Sequence, residues 1–394
     1  MSLNDTQSAE RIHIGFFGLR NAGKSSLINA IANQEVSLVS DVKGTTTDPV
    51  RKSMELLPLG PVVLIDTPGV DDEGVLGSQR VRKAKEILLV SDIAIFVTEN
   101  IVLSKDELEL ISLIEEREIP YLLVHNKLDL LNQSPKCMDN EIYVSSNSRI
   151  GIEKLKEMLA SIYKGKAKEI HFVSDFIKEN DIVILVTPID ESAPKGRMIL
   201  PQQQAIRDIL DAKGIAVTTQ VETLKLTLEN LNKKPALVIT DSQAFGKVMN
   251  IVSADIPLTS FSILMARYKG FLDTAVKGAK TIDNLKDGAK ILISEGCTHH
   301  RQCEDIGTVK LPNWLKKYTK KNFNFIFTQG HGFPEDLKEY DLIIHCGGCM
   351  LNDKEILNRM NESIEEGIPF TNYGTLIAYM NGILQRSISI IYNK

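Results

Sequence analysis

Eight consecutive residues, Gly18-Leu19-Arg20-Asn21-Ala22-Gly23-Lys24-Ser25, constrain this chain's fold more than any others. They follow an apolar run, Ile12–Phe17, and open a helical pattern at Lys24–Ile31. Such a strand–loop–helix unit turns successive backbone N–H groups, and the positive end of a helix dipole, toward one point where an anion can sit. The spacing fits the phosphate-loop pattern without a gap. Gly18, Asn21, Ala22, Gly23, Lys24, Ser25 and Ser26 would form the cradle, with Lys24 a point charge for the β/γ-phosphates and Ser25 a hydroxyl for Mg²⁺.

The next segments repeat the alternation of strand and helix. Val62–Ile65, Ile93–Val97 and Tyr121–Val124 read as buried strands, and Gly151–Tyr163 as a closing helix. The alternation predicts a parallel sheet covered on both faces. Its strands end in further polar motifs, in order. Asp66-Thr67-Pro68-Gly69 places Asp66 at the Mg²⁺ shell and the Gly69 N–H at a γ-phosphate. Thr45, Thr46 and Thr47 lie between these two motifs, where a switch segment belongs. Asn126-Lys127-Leu128-Asp129 ends a later strand, and a carboxylate at Asp129 can accept both the N1–H and the exocyclic amine of guanine, a donor pair adenine lacks. Ser145-Ser146-Asn147 stands where a fifth motif would brace the base. Four motifs in order predict a GTP/GDP site with Lys24, Thr46, Asp66 and Gly69 as its catalytic residues.

With 394 residues, the chain has room for two or three domains. We expect an α/β protein in three parts: a phosphate-loop GTPase domain at 1–168, a small α/β dimerisation domain at 169–256, and a further Rossmann-like domain at 257–394. The basic run Lys164–Lys168 reads as a linker. In the middle part, Ile182–Val186, Ile215–Val221 and Ala236–Ile239 read as strands, Pro201 as an early helix residue, and Ser242–Ile251 as a helix. The last part reads as a long helical pattern from Pro257 to Leu285, strands at Ala289–Ser294, Phe323–Thr328 and Leu342–Ile344, and helices at Pro312–Tyr318, Asp353–Glu366 and Gly374–Leu384. The net charge of −5 and the lack of a basic, aromatic-laced segment argue against nucleic acid as the main partner. Met1–Glu10 is polar, and the apolar stretch Ile87–Leu103 is interrupted by Ser91, Asp92, Glu99 and Asn100. A soluble cytoplasmic protein without a membrane partner is the expectation.

The cysteines cluster late. Cys297-x-His299 follows one strand of the last part and His345-Cys346-Gly347-Gly348-Cys349 follows another. Open α/β sheets bind ligands at the carboxyl ends of their strands, so both groups belong on one rim. Cys-x-x-Cys beside His has metal-ligand spacing. From the residues alone, tetrahedral zinc and a 4Fe–4S cluster both fit three thiolates. Cys303 and Cys137 read as ordinary free thiols.

Asn21 and the Gly44-Thr45-Thr46-x-Asp48 segment resemble the GTPases of the tRNA-modification and ribosome-assembly group. That resemblance implies K⁺ beside the phosphates, held with the help of Asn21, and Thr46 on Mg²⁺. Val70 stands where Ras-like enzymes carry a water-orienting glutamine, which implies slow hydrolysis without activation. The whole chain, with its Cys-x-His and His-Cys-x-x-Cys groups, resembles the FeFe-hydrogenase maturation GTPases. The resemblance implies a homodimer whose last domain carries a 4Fe–4S cluster on Cys297, Cys346 and Cys349. It further implies a scaffold that delivers a di-iron precursor to apo FeFe-hydrogenase, with two radical-SAM maturases as partners. For the fourth iron position, water, Glu304, His299 and His345 all stay open. An RNA-modification or ribosome-assembly GTPase with structural zinc is the competing expectation, and a nucleotide-gated interaction module with inert cysteines a third.

Overall fold

The computed structural model describes residues 10–32, 50–67, 75–130, 139–163, 170–189, 198–296, 305–330, 332–334 and 336–392. Thr46, Gly69, Val70, Cys137, Cys297, His299, Cys303 and Glu304 lie outside the described residues. The chain divides into two compact units, Met1–Ala167 and Lys168–Lys394.

The first unit runs β1 (Ile12–Phe17), α1 (Lys24–Ala32), β2 (Val50–Leu56), β3 (Gly60–Asp66), α2 (Val75–Val90), β4 (Ile93–Thr98), α3 (Lys105–Glu116), β5 (Tyr121–His125), β6 (Glu141–Tyr143) and α4 (Ile152–Tyr163). One six-stranded sheet has the order β2-β3-β1-β4-β5-β6. Every residue of β1 and β4 is buried, as continuous apolar runs require when helices cover both faces. Ile14, Leu27, Leu64, Ile95 and Leu155 fill one face, and Phe17, Ile65, Leu88, Phe96 and Ile114 the other. The expected all-parallel sheet needs one correction. β2 pairs antiparallel with β3, from Val50 opposite Asp66 to Leu56 opposite Gly60. Its sequence, VRKSMEL, is an edge strand whose alternate residues face solvent, too polar to stand out as a strand.

The second unit holds two four-stranded, all-parallel sheets. The first sheet is built from β7 (Ile182–Val186), α5 (Leu200–Asp211), β8 (Ile215–Thr219), α6 (Leu224–Glu229), β9 (Leu237–Thr240), α7 (Phe245–Val248) and β10 (Leu258–Ser260), in the order β10-β9-β7-β8. After α8 (Phe261–Tyr268) and α9 (Leu272–Lys280) come β11 (Lys290–Glu295), α10 (Leu311–Thr319), β12 (Asn324–Gln329), β13 (Leu342–His345), α11 (Asp353–Glu365), β14 (Phe370–Asn372), α12 (Tyr373–Met380) and α13 (Leu384–Tyr392), with the order β12-β11-β13-β14. Both sheets thus wind the same way, first strand beside second and third. The reversal of winding, where α/β folds open a crevice, falls between β7 and β9 and between β11 and β13.

Two expectations change here. The helical pattern expected from Pro257 begins with β10, which pairs with β9 as the edge of the first sheet, before α8 and α9. The last helix is preceded by β14 and followed by a separate α13. Strands of three residues carry too few positions to show a period. The two sheets share one apolar core, in which Ile184, Val238 and Ile263 join Ile291, Ile343 and Leu376.

Candidate functional site

The phosphate loop leaves β1 at Gly18, whose φ of +137° and surroundings admit only glycine: a Cβ there would lie 2.1 Å from the Val97 carbonyl oxygen. Asn21 takes a left-handed conformation (φ +60°) at the exposed crest of the loop. Lys24 is buried and donates to the carbonyl oxygens of Gly18 (2.9 Å) and Leu19 (2.8 Å), closing the loop on itself. Ser25 donates to Asp66 Oδ2 at 2.5 Å. The other carboxylate oxygen, Oδ1, is buried with no hydrogen-bond partner among the described residues. Burial raises the Asp66 pKa, against the opposing pull of Ser25 and the Lys24 charge. A buried anionic oxygen beside a hydroxyl, at the mouth of a phosphate cradle, fits a hydrated Mg²⁺.

The second half of the site hangs on β5 and β6. Asn126 bridges three segments. Its Nδ2 donates to the Ala22 and Gly23 carbonyls (3.4 and 3.5 Å), and its Oδ1 accepts from the N–H and hydroxyl of Ser146 (3.1 and 2.9 Å). Ser145 donates its hydroxyl to Asp129 Oδ1. Lys127, at φ +63°, pairs with Glu99. The serine pair therefore aims the Asn126 and Asp129 side chains, one serine to each, while Asn147 and Ser26 face solvent. All of these residues stand at the carboxyl ends of parallel strands, where the sheet order places a ligand crevice.

The second cluster lies on the third sheet. β11 and β13 are adjacent, with Ser294 opposite His345, and the Cys346 N–H continues the ladder to the Ser294 carbonyl at 2.9 Å. The Cys346 sulfur accepts from the backbone N–H of Gly296 (3.1 Å) and of Gly348 (3.3 Å). The chain therefore reaches Cys297 from a residue already bonded to Cys346. Gly348 is left-handed (φ +66°), and a Cβ on it would strike Ile356 at 2.0 Å. Cys346 and Cys349 are free thiols, each partly exposed. Burial pushes the Cys346 thiol up to about 11, the neighbouring Cys349 adding to this and the two N–H donors opposing it. Cys349 packs against the apolar cluster that holds Val183, Leu237 and Leu264 of the preceding sheet's layer, and burial raises its thiol too. Among the described residues no three His, Cys, Asp or Glu side chains converge as a metal site. Two soft donors with amide N–H groups at the sulfur, beside the entry to a third cysteine, fit a thiolate-held centre in their chemistry.

His345 is corrected. It is one of the open candidates for the fourth position, but it is fully buried, and both ring nitrogens are engaged within the protein. Arg359 Nη1 lies 3.0 Å from Nε2, which must accept because a guanidinium only donates, so Nδ1 carries the proton and donates to the Cys346 carbonyl at 2.8 Å. Burial and the Arg359 charge hold the imidazole neutral, its pKa pushed down to about 3. His345 thus braces the cysteine loop from beneath. Sequence reasoning also missed Arg359 itself. This buried cation donates to Ser294 Oγ (3.3 Å), the Gly330 carbonyl (2.7 Å) and Glu355 Oε1 (2.6 Å), with Phe333 against its guanidinium. Glu295, buried and accepting from Tyr373 at 3.1 Å, lies under the same rim. The Arg359–Glu355 spacing of four on a helix was the one signal available, and it reads as an ordinary surface pair.

The fold of the first unit and its phosphate loop define a P-loop GTPase. Residues 13–127 match a family model described as a 50S ribosome-binding GTPase. The tRNA modification GTPase MnmE of Francisella philomiragia is 35% identical over 156 residues, 38% of this chain and 34% of that protein. Its counterpart in Francisella tularensis strain SCHU S4 is 35% identical over 157 residues, 38% of this chain and 35% of that protein. The chain spans about a third of the length of these curated relatives. The solved G domain of the T. maritima FeoB iron transporter, 22% identical, covers 39% of this chain and 99% of its own at a TM-score of 0.31, too slight a likeness to argue from. Residues 172–270 match the hydrogen maturase F dimerization domain and residues 273–390 the hydrogen maturase F tetramerization domain, together more than half of the chain. The chain belongs to the hydrogen maturase F family, with a P-loop GTPase domain ahead of its oligomerisation domains. Among the described residues no helix is long and apolar enough to cross a membrane.

Proposed function

We propose that this protein is a cytoplasmic GTP-hydrolysing scaffold that holds a 4Fe–4S cluster on Cys297, Cys346 and Cys349 and hands a di-iron precursor to apo FeFe-hydrogenase. One observation carries the reading: at the winding reversal of the third sheet, the Cys346 sulfur is bonded by the amide of Gly296, the residue immediately before Cys297. Three thiolates on one glycine-rich rim leave a fourth iron position, for which Glu304, His299 and water are the candidates. The cluster, when bound, supplies an iron to which cargo can attach and from which it can leave. The chain's own residues supply the rest. The Gly296 and Gly348 amides stabilise negative charge on sulfur, and Arg359 and His345 fix the loop.

In the first unit, Lys24 and the loop amides hold the phosphates, and Ser25, Thr46 and Asp66 hold Mg²⁺. Gly69 meets the γ-phosphate, and Asp129, aimed by Ser145, reads guanine. A K⁺ ion beside Asn21 supplies the positive charge that an arginine finger gives elsewhere. The division of labour follows the chain: GTP hydrolysis in 1–168, homodimer contacts in 169–256, cluster and cargo in 257–394, with two radical-SAM maturases as the source of cargo.

The test is anaerobic reconstitution of the full chain with iron and sulfide. Brown protein with about four irons, able to activate apo-hydrogenase after loading, is the expected result. Colourless protein that binds only zinc would overturn the reading.

A further inference from the structure

Among the described residues two lysines are buried: Lys24 in the phosphate loop and Lys269, 4% exposed, in the second unit. Burying an ammonium is costly unless opposite charge and acceptors surround it. For Lys24 the nucleotide phosphates are the obvious counter-charge. Lys269 stands at the carboxyl end of α8, within the segment that matches the dimerization model. Its side chain reaches across to the cysteine loop of the other sheet. Nζ donates to the Leu351 carbonyl at 2.6 Å and lies 3.4 Å from Asp353 Oδ1. Leu351 is two residues beyond Cys349, and Asp353 opens α11 just after it. The Asp353 side chain is 32% exposed, so it shares its charge with water. The Arg359 cation, by contrast, is closely paired with the equally buried Glu355.

We propose that Lys269 is the counter-ion of the iron–sulfur centre, a buried cation that stabilises the negative charge added when the centre takes up one electron. The proposal rests on the cluster reading above. Three thiolates make the centre anionic. One-electron reduction by an external reductant adds one more negative charge, and Lys269 keeps its three protons throughout. A fixed cation close by favours the reduced form and raises the midpoint potential. Because Lys269 lies within the stretch that matches the dimerization model, it also ties the electrostatics of the centre to that part of the chain.

The experiment compares wild type with Lys269→Met, Lys269→Arg and Asp353→Asn, each as the full chain reconstituted anaerobically. Iron and sulfide are quantified, and reduction is followed by electron paramagnetic resonance during a dithionite titration with mediators. Lys269→Met should hold wild-type iron but lose the reduced form about tenfold at fixed potential, a downward shift of ~59 mV for one electron. Lys269→Arg should stay within about twofold of wild type. Asp353→Asn, which removes the anion sharing the lysine, should shift the potential upward. Opposite signs from two neighbouring substitutions are not the signature of loosened packing. Equal potentials in all four proteins, or shifts of the same sign in Lys269→Met and Asp353→Asn, would overturn the counter-ion role while leaving the cluster reading intact. Should Lys269→Met not fold, Asp353→Asn decides alone: retained iron with no upward shift overturns the proposal. Wild-type protein that takes up no cluster would overturn the parent reading and this one with it.

Discussion

Replacing Arg359 by methionine strikes the cysteine rim from below, and the cost follows from its contacts. The guanidinium donates to His345 Nε2, Ser294 Oγ, the Gly330 carbonyl and Glu355 Oε1, and both members of the pair with Glu355 are under 10% exposed. Removing one partner of a buried ion pair leaves a desolvated charge behind and typically costs about 3–5 kcal/mol. With a urea slope of about 3 kcal/mol/M, the unfolding midpoint should drop by about 1–1.7 M. The chain has one tryptophan, Trp314 on α10, packed against the core of the second unit, so its fluorescence follows that unit without interference from the first. Arg359→Met with Glu355→Gln removes the stranded carboxylate and should recover at least half of the loss. A single variant that loses under about 1 kcal/mol, or a double variant whose loss equals the sum of the two singles, would refute the argument that this pair is a buried electrostatic unit.

Other outcomes follow from the first unit. Lys24→Ala should reduce GTP turnover by at least ~100-fold, read by phosphate release, while iron content after reconstitution is unchanged; loss of iron would show that the two sites are not independent. Asp129→Asn should favour xanthosine triphosphate over GTP in competition binding, since one acceptor of the guanine donors becomes a donor itself; an unchanged preference would place the base elsewhere. Turnover should be faster in K⁺ than in Na⁺, with Asn21→Ala erasing the difference, and equal wild-type rates in the two salts would remove the K⁺ site. Glu107 is buried in the Ser104 capping box of α3. Its burial is outweighed by hydrogen bonds from Thr98, Ser104 and Asn100, so its pKa is lowered. A depressed carboxylate stabilises the fold above the unfolded value of about 4.3 and loses that contribution as pH falls through its folded value. The stability gap between wild type and Glu107→Gln should therefore narrow as pH falls below the unfolded value, and a gap independent of pH would contradict the assignment.

The nucleotide site was legible because its chemistry is local. A phosphate loop needs glycines, lysine and serine at fixed spacing, and the structure puts Ser25 on Asp66 and Ser146 on Asn126 as the motif order implied. The cysteine rim was half legible. Strand ends told where Cys346 and Cys349 would stand, but not what lies beneath them. His345 looked like a ligand because spacing counts residue types, whereas its burial and the Arg359 guanidinium, fourteen residues away, decide its role. Lys269 meets Leu351 across 82 positions, a distance at which no periodicity speaks. The short strands β10 and β14, three residues each, become strands through their neighbours rather than through their own pattern.

The two amides on the Cys346 sulfur have a thermodynamic consequence. They belong to Gly296, held by the β11 segment, and to Gly348, wedged against Ile356, and Asn352 caps the helix that follows by accepting from the Glu355 N–H at 3.0 Å. Backbone and packing within the protein therefore fix the position of the Cys346 sulfur. In small zinc domains the metal supplies the folding free energy, and chelators unfold the chain. On the cluster reading proposed above, the sheet supplies that order at Cys346 by its own hydrogen bonds, so occupancy and foldedness are expected to be separate variables.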